Sequence, residues 1–383
     1  MVFRQRKIKI FGGLLYSLRE RTPCRAANDC SRVGFKAMPE PVSPHMKNIL
    51  RTLLVTAAGV LLVLPAYAAD SKKVIVVTVT TGFRHSSIPT AEKVLQQLAD
   101  ESKAFTIVDF VRQPEVDTPK KPNAPRKPNL KDGASDNEKA KYERDMERYT
   151  RDEARYQEAM SKWTAADDEK VKSAEAQFQE KMKQEMAKLS VENLEKVDGV
   201  IFANTTGDLP LPDKEGFIKW IEAGHALMAM HSGSDTFHNF PAYVSALGGE
   251  FASHGAQVGV DLVKKDPNHP ATTGLPDPWE IKQEEIYLFK SYDQKRVRDL
   301  WSLDKHPNEK TAGHYPVSWV RKAGEGKVFY TSLGHREDIW DADPAMKGRV
   351  NPPETAKQFQ QHILGGIKWA LGLAEGSAES AAK

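Results

Sequence analysis

Downstream of Met46 this sequence contains no cysteine. The chain has two, Cys24 and Cys30, and both lie upstream of that methionine. A disulfide, a thiolate nucleophile and a cysteine metal ligand are therefore all excluded from the body of the protein. Long apolar runs are just as scarce. The one candidate, residues 53–64, is closed by Pro65 and falls short of the roughly 20 residues a stable membrane-spanning helix needs. No stable membrane anchor is expected from it. A basic cluster beside interleaved aromatics is also missing. The first 69 residues carry a net charge of +8, which leaves −5 for the rest of a chain whose total is +3. A mildly acidic body gives nucleic acid nothing to bind. No nucleotide cofactor is expected either.

The basic opening belongs to a targeting segment. Met46-Lys47-Asn48-Ile49-Leu50-Arg51 is a short positively charged start, an apolar stretch follows, and Ala66-Tyr67-Ala68 supplies the small-x-small pattern of a cleavage site. Residues 46–69 read as a signal peptide, which implies a periplasmic or secreted protein. Residues 1–45, Arg-rich and ahead of that leader, read as an over-extended gene start. No cysteine follows the apolar stretch to take a lipid.

Over residues 70–375 the periodicities alternate between strand and helix. Residues 74–80 (VIVVTVT), 105–110, 199–204 (GVIFAN) and 226–230 (ALMAM) are β-branched or continuously apolar, as in strands buried on both faces. Helical patterns over 89–103 and 212–223 separate them, the first with Ser87 as a candidate cap. The fold class expected is α/β, a doubly wound and mostly parallel sheet. Beyond 230 the pattern is mixed. A short helix is expected over 240–247 and strands over 257–263, 281–289 and 297–303. The hairpin strands 317–322 and 327–332 turn through Ala323-Gly324-Glu325-Gly326, and a closing helix covers 356–371. Residues 376–383 read as a frayed tail.

Residues 118–190 interrupt the sheet pattern. Residues 118–135, rich in Pro, Lys and Asn, read as a linker. Two charged helices follow, the first opened by the capping-box candidate Ser135-Asp136-Asn137-Glu138. Tyr142, Met146, Tyr149, Tyr156, Met160 and Trp163 form one apolar seam, as in a coiled coil, and Val171, Phe178, Met182 and Leu189 form another. The expectation is an inserted αα-hairpin, either a solvated spacer or an arm for self-association or partner docking.

Polar residues gather where strands of such a sheet end, which is where open α/β sheets bind ligands. Arg84 and His85 follow the first strand, and Asn204, Thr205 and Thr206 the third. His231, Ser232, Ser234 and Asp235 follow the fourth, and His335 and Arg336 follow the hairpin strand. Each has an ordinary alternative as a solvated or capping residue. Asp235 could cap the next helix, Ser253-His254-Gly255 could be a turn, and Glu285 and Tyr287 could be the outward face of a strand. Residues 226–235 have the strand–turn–helix layout of a nucleophile elbow, with His231 at its apex, but they lack the Gly-x-Ser-x-Gly pattern.

Read in order, several motifs are similar to the ThuA-like (trehalose-utilisation) family. They are Thr81-Gly82-Phe83-Arg84-His85-Ser86, His231 through Phe237, Gly248-Gly249-Glu250-Phe251 with His254, His269-Pro270, Glu285-x-Tyr287, Pro316-x-x-Trp319, and Gly326 through His335. The resemblance covers roughly 73–117 and 194–373. It implies a flavodoxin-like, class I glutamine amidotransferase-like fold and a link to disaccharide or keto-sugar catabolism.

Three functions follow as expectations. The first is an enzyme that hydrolyses, eliminates or isomerises a sugar or keto-sugar. His231, His85 and Glu285 would be catalytic, and Arg84, Ser232, Asp235, Tyr287 and His335 would contact substrate. His85, His231, His254 and Glu285 would be the set for Zn²⁺ or another divalent metal, since imidazole and carboxylate suit such ions and tuned imidazoles suit proton transfer. The second is a non-catalytic carbohydrate-binding or assembly protein using Phe83, Phe237, Trp279, Tyr287 and Trp340. A serine esterase built on Ser232 is the remote third reading.

Overall fold

The β-branched run after the leader builds β1 (Lys72–Val77), which lies inside a nine-stranded sheet of order β2-β1-β3-β4-β11-β10-β9-β6-β7. The computed structural model describes residues 71–382; the leader 46–69 and the extension 1–45 lie outside the described residues. The first five positions are β2 (Phe105–Val111), β1, β3 (Gly199–Ala203), β4 (Ala226–Met230) and β11 (Gly326–Thr331), and all run parallel. This is the 2-1-3-4-5 order of flavodoxin-like sheets, whose switch point falls between β1 and β3. The remaining strands, β10 (Ala312–Ala323), β9 (Arg298–Lys305), β6 (Val258–Lys264) and β7 (Trp279–Glu284), are antiparallel.

Strand alternation explains why both faces of the parallel half are apolar. Val74, Val76, Ile201, Met228 and Phe329 pack on one side with α1 (Ile88–Ser102) and α6 (Pro353–Ala370). Ile75, Val77, Val200, Leu227 and Val328 pack on the other with α4 (Lys214–Glu222) and α5 (Pro241–Leu247). Each such fully buried side chain contributes about 1.5–3 kcal/mol, so the parallel half is the rigid part on which a site can be mounted.

Three expectations change here. Ser87 makes no cap bond to α1; its hydroxyl is spent across the molecule, on the carbonyl of Gly334. The run 281–289 is not one strand. It breaks at Glu285-Ile286 into β7, which pairs with β6, and β8 (Tyr287–Lys290), which pairs with β5 (Glu250–His254) in a separate two-stranded sheet. Ser253 and His254, for which a turn was the ordinary alternative, are therefore strand residues. The tail after α6 is laid down on the fold: Trp369 Nε1 donates to the Gly376 carbonyl (2.9 Å) and Ser380 Oγ to that of Gln294 (2.8 Å).

The insertion contains α2 (Asp136–Lys162), with the expected capping box at Ser135 and Glu138, and α3 (Ala165–Met186). The Pro-rich segment before them is more than a spacer. Val116, Pro119, Pro122, Pro125 and Pro128 are half-buried, while most residues between them are exposed. That three-residue repeat is the period of a polyproline II helix. Lys121 pairs with Asp168 (2.7 Å) and Lys181 Nζ donates to the Glu115 carbonyl (2.9 Å), so this segment runs along α3. Further on, Pro125–Asn129 faces Asp145, Tyr149 and Asp152 of α2 across a groove. At the root, Lys188 Nζ donates to the carbonyl of Phe110 (2.8 Å) and Glu185 accepts the amide of Arg112 (3.1 Å), tying the arm to edge strand β2. Among the described residues no helix is long and apolar enough to cross a membrane.

Candidate active site

Strand β4 ends at Met230 and turns at once into a short 3-10 segment, His231–Asp235. His231 has φ 47°, a left-handed conformation costing a residue with a β-carbon roughly 1–2 kcal/mol. Two contacts hold it there. The Tyr330 hydroxyl donates to the His231 carbonyl (2.7 Å), and Gly233 lets the turn close, since a Cβ at that position would stand 2.9 Å from that of Ala229. The apex imidazole is thereby pressed down at the carboxyl edge of the sheet, fully buried.

Two more histidines reach the same point. His85 comes from the loop after β1, which Thr206 fixes by accepting the amide of Thr81 on its carbonyl (2.9 Å) and donating its hydroxyl to the carbonyl of Phe83 (2.8 Å). His335 comes from the loop after β11. There the Gly334 carbonyl accepts from Ser87 Oγ (3.0 Å), Asn204 Nδ2 (2.8 Å) and Trp340 Nε1 (2.8 Å). The break between β7 and β8 supplies the acid: Glu285 stands in it, beside fully buried Glu284.

His231 Nδ1 donates to the carbonyl of Ser332 (2.8 Å), which leaves the lone pair on Nε2 facing the group. That Nε2 lies 3.2 Å from His85 Nε2, 3.3 Å from His335 Nδ1 and 3.8 Å from Glu285 Oε1. His335 Nδ1 is in turn 3.2 Å from Glu285 Oε1. The four ligand atoms all lie within 4.8 Å of one another. Bonds of about 2.0–2.1 Å would give ligand–ligand edges of about 3.3 Å in a tetrahedron and about 3.0 Å between cis positions of an octahedron. The group has the donors and the spacing to hold a divalent ion.

Its electrostatics agree with that capacity. Burial, and then repulsion from His335, pulls the His85 imidazole down to about 4. Burial followed by the neighbouring His85 and His335 pulls His231 well below its ordinary value. Both shifts favour the neutral imidazole, the form that offers a lone pair. Burial pulls on His335 too, but the hydrogen bond and the negative charge of Glu285 outweigh it and raise the imidazole. Burial holds the Glu284 carboxyl up at about 8, although it accepts the amides of His335 (2.6 Å), Gly334 (3.3 Å) and Arg336 (3.4 Å). The Glu284-Glu285 pair grips His335 twice, by its backbone and by its ring.

Of the residues singled out from sequence, His85, His231 and Glu285 converge, with His335 completing the group in the place given to His254. His254 sits outside it, half-exposed, with Nδ1 3.0 Å from the other oxygen of Glu285. Ser232 is fully buried with its hydroxyl 3.2 Å from His85 Nδ1. As His85 turns its other nitrogen to His231 and not to a carboxylate, the serine holds the ring and no nucleophile triad forms. Tyr287 lays its ring over His231, centroids 4.3 Å apart. Arg84 turns away, donating to the Thr78 carbonyl (2.9 Å). Asp235 neither caps a helix nor joins the group. It pairs with His238 (2.6 Å), whose other nitrogen meets Glu250 (2.6 Å). Among the aromatics, Phe237, Trp279 and Trp340 are core residues with no face for a ligand, whereas Phe83 is 68% exposed. His238, Glu250 and Glu284 were missed. The doublet Glu284-Glu285 inside an apolar run was the one local sign of the last.

The sequence model of the ThuA family, described as trehalose utilisation, matches residues 149–370, more than half of the chain. The matched span begins inside α2 and leaves out β1, α1 and β2. No curated protein matches the chain. Among solved structures, the chain is similar to a putative ThuA-like protein from Parabacteroides merdae at 17% identity, covering 79% of this chain and 90% of that one, with a TM-score of 0.49. A second, from Bacteroides uniformis, is 14% identical, covering 80% and 94%, with a TM-score of 0.47. The carbohydrate deacetylase Agd3 is 10% identical, covering 79% and 32%, with a TM-score of 0.38.

Proposed function

This chain belongs to the ThuA, trehalose-utilisation, family, and from that premise we propose an exported enzyme that hydrolyses, eliminates or isomerises a sugar or keto-sugar derivative. The observation that carries the reading is the meeting of His85, His231, His335 and Glu285 ligand atoms within 4.8 Å. Three neutral or tunable imidazoles and a carboxylate suit zinc or a similar first-row divalent ion better than magnesium or calcium, which prefer oxygen. Bound there, such an ion supplies Lewis-acid polarisation of a sugar carbonyl oxygen, worth several kcal/mol in a proton-abstraction or cleavage step.

The chain's own groups do the rest. Ser232 and the Ser332 carbonyl fix the outer nitrogens of His85 and His231, so both rings keep one orientation. His254, on the solvent side of Glu285 with Nδ1 3.0 Å from its second oxygen, holds that carboxylate in orientation; its side chain is 44% exposed. Export rests on the basic start, apolar stretch and Ala66-Tyr67-Ala68 of the leader.

The test is elemental analysis of the purified protein, followed by product analysis on oxidised and unoxidised disaccharides with the recovered metal supplied. Stoichiometric metal and turnover lost on stringent chelation are expected. Undiminished turnover in the chelated protein would remove the ion from the reading. Tight sugar binding without product under any metal would leave a carbohydrate-binding protein.

A further inference from the structure

Among the described residues, Phe83 is one of the few large apolar side chains left in the open, and it stands beside the histidine group. Its ring meets that of His85 edge-on with centroids 4.9 Å apart, while 68% of the residue remains exposed. A single exposed phenylalanine is ordinary on a protein surface. This one is held where ordinary surface residues are free. Its carbonyl accepts the hydroxyl of Thr206 (2.8 Å), and the amide of Thr81 is bonded to the Thr206 carbonyl (2.9 Å). Gly82 lies so close that a Cβ there would stand 3.0 Å from Thr206 Oγ1. The backbone of the loop is thus seated on the end of β3, and the ring projects from a fixed base.

We propose that Phe83 is the specificity-determining platform on which the pyranose ring of the substrate stacks, its open face receiving the sugar while its edge rests on His85. The inference depends on the sugar-directed reading of the site. One face of a pyranose carries axial C–H groups whose partial positive charge complements the negative face of an aromatic ring. Burying that apolar patch against phenyl is favourable, while the ring hydroxyls stay free for polar partners. Of the other aromatics singled out from sequence, Phe237, Trp279 and Trp340 are buried, and Tyr287 is packed on His231 and Phe251, with centroids at 4.3 and 4.4 Å. An acyclic polyol, which has no such face, should gain little from Phe83.

The experiment is calorimetric titration of the metal-loaded, leader-free protein with trehalose, methyl α-glucopyranoside and sorbitol, for the parent chain and for Phe83→Ala, Phe83→Leu and Phe83→Trp. Expected is a loss of roughly tenfold or more in affinity for the two pyranosides in the alanine and leucine variants. The tryptophan variant should recover it, and sorbitol binding should not change. Metal content and melting temperature should match the parent in all three, because the side chain is in solvent. Leucine binding pyranosides as tightly as phenylalanine would overturn the stacking role, and so would loss of metal in the alanine variant. Failure of the parent itself to bind any of the sugars would overturn the functional reading and this inference together. Tight parental binding untouched by Phe83→Ala would overturn this inference alone.

Discussion

Among the described residues, buried or half-buried imidazoles gather in two regions, and comparing them separates a site from a core. His85, His231 and His335 stand at the carboxyl edge of the parallel strands. His269 and His362 stand among tryptophans, the first against Trp369 (5.2 Å between centroids) and the second against Trp279 (5.7 Å). Burial pulls His269 and His362 down to about 4, as it does His85. The difference lies in where the nitrogens go. His362 Nδ1 donates to the Ala271 carbonyl (2.7 Å) and His269 Nδ1 accepts the Ala271 amide (3.2 Å), so each serves one stretch of backbone. Among the described residues only the first group brings ligand atoms together around a carboxylate. Desolvation and depressed basicity are therefore shared by His85, His231, His269 and His362 across both regions; convergence belongs to one.

The sharpest way to break that comparison is His231→Ala beside His362→Leu. The first should remove stoichiometric metal and cut turnover by about 10²–10⁴-fold, with the fold intact by circular dichroism. The second should leave metal and turnover at parental values. Equal losses in both would mean the two regions are not distinct. Next in size is Glu284→Ala, which strands three backbone amides of the 334–336 loop and should cost about 3 kcal/mol in urea unfolding, lowering metal affinity as His335 drifts.

Acid sharpens the contrast from the core side. His362 has a folded value of about 4 against an ordinary 6.5, so the unfolded chain takes up the proton first. Its stabilising contribution is complete above pH 6.5 and is lost as pH falls towards 4, at no more than about 1.4 kcal/mol per pH unit. His362→Leu should flatten that limb of the stability–pH curve in denaturant titrations; an unchanged slope would assign it to other groups. The smallest effect belongs to neither region. Ser135→Ala removes the cap of α2 and should cost about 1 kcal/mol of local helix stability by hydrogen exchange, with metal content untouched.

Sequence carried the parallel half of the fold because its strands announce themselves: 74–80, 199–204 and 226–230 are apolar on both faces, and the Ala323-to-Gly326 turn names its hairpin. It also carried His85 and His231, since residues just past such strands face the ligand edge; Glu285 follows an antiparallel strand and was marked by the Glu285-x-Tyr287 motif of the family resemblance. The rest depended on distant partners. Residues 281–289 read as one strand because nothing local records that β7 and β8 pair into different sheets. His335 replaced His254 because the 334–336 loop is pulled in by Glu284, a contact 51 residues away in sequence for His335. Arg84 sits beside His85 in sequence, yet its guanidinium is drawn back by the Thr78 carbonyl. Side-chain direction in a loop is a tertiary property, and so is the burial of Trp279 and Trp340.

The root of the inserted arm bears on solubility. Strand β2 is an outermost position of the large sheet, and unpaired backbone groups on such a strand are a template for any passing extended chain. Lys188 occupies the carbonyl of Phe110 and Glu185 the amide of Arg112, so an intruding strand meets an ammonium and a carboxylate at that end in place of a free ladder. A shortened chain lacking 118–190 would keep its histidines and expose this border, and its first failure would be aggregation rather than lost chemistry.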